Sequence, residues 1–128
     1  MSAAAGIRRR IVIAEDDPAI AMMLEKVLAP FYDVSVAHDG KTALLLASQS
    51  PRPAVLLLDV MMPGLDGLSV AAEVRKSAEL KGVPIIFLTA KAGATDVIKG
   101  IQSGARHYIT KPFKIDDVLA KVKKVLGG

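Results

Sequence analysis

The chain has 128 residues, a formal net charge of +4, 52% hydrophobic residues and no cysteine or tryptophan. That length suits one domain able to bury roughly two-thirds of the surface its unfolded chain exposes, and the apolar fraction excludes general disorder. Disulfides and thiolate chemistry are excluded, no apolar run approaches the roughly 18 residues that span a bilayer, and two Tyr and three Phe make no basic-aromatic stripe for nucleic acid. A cytoplasmic location fits the lack of cysteine. Residues 1–8 read as a short flexible lead rather than a signal peptide, because no long apolar core precedes Arg8-Arg9-Arg10. Those arginines are expected to solvate the start of the first strand.

In chain order, Ile11-Val12-Ile13-Ala14 is a short apolar run that stops on Glu15-Asp16-Asp17. Pro18 stands where a first helical residue belongs, with Asp17 as its N-cap. Ala19, Ile20, Met23, Leu24, Val27 and Leu28 follow at helical spacing, and Pro30 marks the stop. Val34-Ser35-Val36-Ala37 reads as a strand, and His38-Asp39-Gly40 turns into a helix carrying Ala43, Leu44, Leu46 and Ala47. Pro51 and Pro53 break that helix. Ala54 to Leu58 is a run of five apolar residues without alternation, the mark of a strand buried on both faces. It stops on Asp59, and Pro63-Gly64 turns the chain towards a helix over about 66–77, with Asp66 placed to cap it.

A further strand, Val83 to Leu88, ends on Thr89-Ala90. A helix over about 94–103 is loosened by Gly93, Gly100 and Gly104. Arg106 to Ile109 reads as a strand ending at Thr110-Lys111-Pro112-Phe113, and a last helix over about 115–126 has Ile115, Val118, Leu119, Val122 and Val125 as its inner stripe. Five strand–helix repeats with continuous apolar strands predict an α/β fold, a doubly wound parallel sheet with helices on both faces. The methionine pairs Met22-Met23 and Met61-Met62 read as core packing and turn filling.

In such a sheet the carboxyl ends of the strands share one edge, where ligands bind. Glu15, Asp16, Asp59, Thr89 and Lys111 are expected to meet there. An Asp at the end of a buried strand is costly unless that edge favours negative charge. Two unit charges about 4 Å apart repel by roughly 4 kcal/mol at an effective dielectric near 20. Three acids together therefore take up protons or bind a cation, and an all-oxygen set with room for water suits Mg2+. Lys111 and Thr89 complete a set fitted to an oxyanion. Asp59, between the acids on one side and Thr89 with Lys111 on the other, is the expected nucleophile that accepts a phosphoryl group and forms an acyl phosphate.

Glu15-Asp16-Asp17-Pro18, Leu58-Asp59-Val60-Met61-Met62-Pro63-Gly64-Leu65-Asp66-Gly67, Leu88-Thr89-Ala90 and Tyr108-Ile109-Thr110-Lys111-Pro112-Phe113 together resemble the CheY-like receiver domains of two-component response regulators. The likeness runs from about residue 9 to 126. It implies a flavodoxin-like sheet in the order 2-1-3-4-5, an order taken from the chemotaxis member of the family. It also implies that Asp59 takes a phosphoryl group from a sensor histidine kinase or phosphotransfer protein. Asp16 would bind Mg2+ directly and Glu15 through water, with Asp59 and the backbone carbonyl of Met61 as further ligands. Thr89 and Lys111 would hold phosphoryl oxygens, and the Lys111-Pro112 bond would be cis, helping to aim the lysine. Tyr108 would swing inward as Thr89 moves, changing a face made by the fourth helix, fifth strand and fifth helix. Met61 and Lys91, each two residues past a site residue, stand where the family tunes phosphate lifetime, and Glu15 replaces the commoner Asp.

The resemblance further implies a domain over 9–126 with a tail at 127–128, acting on a downstream protein as a monomer or a phosphorylation-dependent homodimer; from the sequence itself no output domain, membrane contact or direct nucleic-acid binding by this chain is expected. It is expected to be a phosphoacceptor rather than an enzyme, at most phosphorylating and dephosphorylating itself with Mg2+. The alternative is a receiver-like docking module that is not phosphorylated. A haloacid-dehalogenase-type phosphatase would want a second acid where Met61 stands. A dinucleotide site is disfavoured by the lack of a Gly-x-Gly-x-x-Gly after the first strand, and a P-loop by the absence of its glycine-lysine motif.

Overall fold

The computed structural model describes residues 8–90 and 107–127. Five parallel strands, β1 (Arg10–Ala14), β2 (Asp33–Ala37), β3 (Val55–Asp59), β4 (Ile85–Ala90) and β5 (His107–Lys111), form one sheet in the order β2-β1-β3-β4-β5. The described helices are α1 (Pro18–Leu28), α2 (Gly40–Ala47), α3 (Gly67–Lys76) and α4 (Ile115–Val125). The doubly wound fold and its strand order are those expected. The helix expected over about 94–103, and Lys91, lie outside the described residues.

The apolar strand runs divide between two cores. Val12, Ala14, Leu56, Leu58, Ile85 and Phe87 face α2 and α3, where Ala43, Ala47, Val70, Ala71 and Val74 meet them. Ile11, Ile13, Val55, Leu57, Ile86, Leu88 and Ile109 face α1 and α4, meeting Leu24, Leu28, Val118 and Val122. Alternate residues of one strand point to opposite faces, so a sheet covered on both sides needs an unbroken apolar run rather than an alternating one.

Helix starts are set by aspartates. Asp17 accepts from the amides of Ala19 (2.9 Å) and Ile20 (3.3 Å), with Pro18 as the first helical residue. Asp39 accepts from Thr42 N at 2.7 Å and Asp66 from Ser69 N at 2.8 Å. Each satisfies helix amides that have no partner within the helix. α4 has no side-chain cap, but Asp116 and Asp117 in its first turn and Lys123 and Lys124 in its last complement the helix dipole.

Some expectations are corrected. Arg10 is buried, and its guanidinium donates to the carbonyls of Gln49 (3.2 Å) and Pro51 (3.0 Å). Arg8 donates to Ala29 O and Arg9 to Leu126 O, both at 2.7 Å. These arginines bind backbone carbonyls at or just after helix ends, where a fork of N–H donors suits them. Ala21, not Ala19, lies on the buried stripe of α1. Ile115 is 48% exposed, since as the first residue of α4 it lies past the edge of the core. Met62 is buried but Met22 and Met61 are exposed, so only part of each methionine pair packs. Strands β4 and β5 run further than expected, taking in Thr89 and Lys111.

Leu57 is fully buried on the central strand. Leu57→Ala is expected to destabilise the fold by about 2–5 kcal/mol. Leu45→Ala, on the exposed side of α2, should stay within about 0.5 kcal/mol. Urea unfolding followed by circular dichroism measures both.

Candidate functional site

Parallel pairing brings the strand ends into one cluster. Ala14 pairs with Leu58, Asp59 with Leu88, and Thr89 and Ala90 with Thr110 and Lys111. Glu15 and Asp16 therefore leave β1 beside Asp59, and Lys111 ends β5 one strand beyond Thr89. All four expected charged residues meet: oxygens of Glu15, Asp16 and Asp59 lie within 4.8 Å of one another. Lys111 Nζ is 2.5 Å from Glu15 Oε1 and 3.3 Å from Asp59 Oδ2. The lysine thus lies between two of the acids and sits closer to Glu15 than to Asp59.

Glu15 is held on both sides of its side chain. Its amide donates to Ala37 O at 3.0 Å, and its Oε2 accepts from Asp17 N at 3.1 Å. Oε1 is buried and faces the Lys111 ammonium as its electrostatic partner. Asp59 Oδ1 accepts from Met61 N at 3.2 Å. The β3–α3 loop is tied back to the sheet by Val60 N to Leu88 O (3.0 Å) and Gly67 N to Val60 O (3.1 Å). Glu15, Asp59 and Thr89 are buried, whereas Asp16 is exposed. The Lys111-Pro112 peptide bond is cis, as the resemblance implies. Tyr108 is 46% exposed on β5 and lines a cleft of about 510 Å³ with Phe113, Lys121 and Lys124.

Burial and the neighbouring charges together shift the proton affinities. Burial, then hydrogen bonding and repulsion from Glu15, push Asp59 up to about 7 against the lowering effect of Lys111. Burial opposes ionisation of Asp16, but hydrogen bonds shared with Asp59 and Glu15 hold it below the ordinary value. Burial likewise opposes the charge on Lys111, and Glu15 and then Asp59 raise its affinity for the proton. Three carboxylates within reach of one another, offering only oxygen, are a donor set a hard divalent cation fits.

One neighbour was not singled out from the sequence. His38 Nδ1 lies 3.1 Å from Glu15 O. His38 follows β2, whose carboxyl end lies on the same edge, and that position was the available signal.

A family model, the response regulator receiver domain, matches residues 11–123. The DNA-binding response regulator MtrA of Mycolicibacterium smegmatis is 42% identical over 118 residues, covering 91% of this chain and 50% of MtrA. Response regulator PleD of Caulobacter vibrioides is 42% identical over 111 residues, 86% of this chain and 24% of PleD. Among solved structures, chemotaxis protein CheY4 of Vibrio cholerae superposes with a TM-score of 0.85 at 29% identity, covering 93% of this chain and 99% of that one. The chain belongs to the response regulator receiver domain family. It is a receiver domain of two-component signalling, and it spans about half the length of MtrA and about a quarter of PleD. Among the described residues no helix is long and apolar enough to cross a membrane.

Asp59 holds a proton in the folded chain up to about pH 7, while an ordinary carboxylate releases it near 3.8. Between those values the folded state binds more protons than the unfolded, so stability falls as pH rises. The lowered Asp16 and raised Lys111 titrate outside that window. With a chelator present, the melting temperature is expected to decline as pH rises from 3.8 to about 7, and Asp59→Asn should remove most of the decline. Thermal melts across that range provide the check.

Proposed function

We propose that Asp59 accepts a phosphoryl group from a phosphohistidine of a sensor histidine kinase or phosphotransfer protein, and that the phosphorylated domain acts on a downstream protein through a surface including β5 and α4. The observation that carries this reading is Lys111 Nζ, 3.3 Å from Asp59 Oδ2, inside a cluster of three carboxylates within 4.8 Å. A lone acid beside a lysine would be an ion pair. Two further acids make a site with excess negative charge that a cation and a phosphoryl group together can use. The intact charge set disfavours a docking module that is never phosphorylated.

In the proposed transfer an Asp59 carboxylate oxygen attacks phosphorus as the bond to the imidazole nitrogen breaks. The imidazole leaves with a proton from solvent, and an acyl phosphate remains. Attack of water on that phosphorus returns the carboxylate and inorganic phosphate. Glu15, Asp16, Asp59 and the Met61 carbonyl would hold Mg2+, which when bound supplies positive charge to offset the phosphoryl oxygens. Lys111 would exchange part of its pairing with Glu15 and Asp59 for a phosphoryl oxygen, and Thr89 would donate to another.

Moving a population from 1:99 to 99:1 takes about 5.5 kcal/mol of differential binding. Charge-assisted bonds from Lys111 and Thr89, at about 1.5–3 kcal/mol each, are of the right size. Movement of Thr89 towards the phosphate would draw Tyr108 inward from its half-exposed position.

Incubation with acetyl phosphate and Mg2+ should add one phosphoryl group by intact mass. The gain should be lost in chelator and released by hydroxylamine. Asp59→Asn should show none, and a variant that still gained the group would sink the assignment. Thr89→Ala should still be phosphorylated but lose the phosphate-dependent change in the Tyr108 ring signals seen by NMR. An unaltered Tyr108 response would remove Thr89 from the switch.

A further inference from the structure

Two glycines outside the acid cluster stand against the backbone on either end of the β3–α3 loop. A Cβ at Gly67, the first residue of α3, would lie under 3.0 Å from the carbonyl oxygen and carbon of Asp59. One at Gly40, the first residue of α2, would lie under 3.0 Å from the carbonyl oxygen of Leu65 and 2.8 Å from Val70 Cγ2. Real Cβ atoms essentially never approach so closely, and the obstacles at Asp59 and Leu65 are backbone, which cannot swing aside as a side chain can.

Positive φ does not account for either glycine. Among the described residues only Gly64 and Gly127 have it. What Gly40 and Gly67 provide is space. Gly82 makes the contrast, since a Cβ there meets nothing within 4 Å.

The loop between them carries the residues nearest the proposed chemistry. Gly67 abuts the carbonyl of Asp59 itself, and Met61 N donates to Asp59 Oδ1 at 3.2 Å. Gly40 reaches the other end at Leu65 from a helix start held by Asp39, which accepts from Thr42 N (2.7 Å) and Thr42 Oγ1 (3.0 Å). Two residues earlier, His38 touches the Glu15 carbonyl at 3.1 Å. The start of α2 therefore contacts the backbone of the first acid and the far end of the loop that follows Asp59.

We propose that Gly40 and Gly67 are positioning residues for Asp59 and for the Met61 carbonyl: lacking Cβ atoms, they let the starts of α2 and α3 close on the two ends of the loop. This rests on the phosphoacceptor reading given above. A Cβ at either position pushes the loop by roughly an ångström, and a displacement of that size at a reacting group costs on the order of 10²-fold in rate. Gly67 acts on the acceptor directly. Gly40 acts through the loop.

The test compares wild type with Gly40→Ala, Gly67→Ala, Gly82→Ala and Val122→Ala, the last a cavity in the core on the opposite face of the sheet. Two quantities are read well below each melting temperature: the acetyl phosphate reaction rate at saturating Mg2+, and the Mg2+ dissociation constant by calorimetry. Gly67→Ala should slow phosphorylation by on the order of 10²-fold, and Gly40→Ala should lower both rate and Mg2+ affinity by about tenfold or more. Gly82→Ala and Val122→Ala should stay within about twofold of wild type, since neither places a Cβ against the β3–α3 loop and so neither shifts the reacting groups. Adding Val70→Ala to Gly40→Ala should not restore the rate, because the Leu65 carbonyl still blocks the Cβ.

Wild-type rates in folded Gly40→Ala and Gly67→Ala would overturn the proposal, as would an equal loss in Val122→Ala or full recovery in the Gly40→Ala, Val70→Ala pair. If one glycine variant does not fold, the other decides. Failure of both to fold, with Val122→Ala folded, would assign these glycines to the fold alone and overturn the proposal. A wild-type chain that neither binds Mg2+ nor gains phosphate would instead overturn the functional reading, and this inference with it.

Discussion

Three carboxylates and one ammonium packed into the edge of a sheet are the constraint on which the remaining structure depends. Glu15, Asp16 and Asp59 repel one another, and two of them are buried. Lys111 offsets only part of that charge, and burial, then hydrogen bonding and repulsion from Glu15, keep a proton on Asp59 up to about pH 7. A fold does not gain stability from such a cluster, since removing charges from water costs more than imperfect pairing returns. In a chain belonging to the receiver family, such a cluster fits the proposed function, in which stability is given up for chemistry.

The sheet makes this concentration of charge possible. The three inner strands β1, β3 and β4 carry continuous apolar runs that change to polar residues at their carboxyl ends, so two cores cover the sheet while the polar ends emerge along one edge. Aspartates 17, 39 and 66 then start helices directly after that edge. Acids do two jobs at this edge: Asp17, Asp39 and Asp66 accept helix amides, whereas Glu15, Asp16 and Asp59 form the cluster. The starts of α2 and α3 reach the loop after Asp59 at two glycines, which links the local rule for beginning a helix to the alignment of the proposed acceptor.

Most of the fold was legible because its signals are local. Unbroken apolar runs, Asp-Pro and Asp-Gly helix starts and Pro-Gly turns each report on a few neighbouring residues, and the register between strands follows once those runs are paired. The edge constellation was legible for a related reason: parallel strands must end together, so residues at the ends of separate runs must meet. Side-chain destinations that depend on distant backbone were not legible. Arg10 looked like a solvated charge and instead donates to the carbonyls of Gln49 and Pro51. Ile115 has the helical spacing of a core residue, yet it lies at a helix start that the core does not reach.

By itself the sequence determined the doubly wound α/β class, the order of elements and the identity of the acids, hydroxyl and lysine gathered at one edge. It could do so because hydrophobic period and turn chemistry are properties of adjacent residues. The tertiary structure alone decided which partner each charge takes: that Lys111 lies closer to Glu15 than to Asp59, that His38 touches the Glu15 carbonyl, and that Gly40 and Gly67 stand against the loop after Asp59. Those facts depend on distances of a few ångströms between segments far apart in the chain, and Coulomb and contact forces act on distance rather than on position along a sequence.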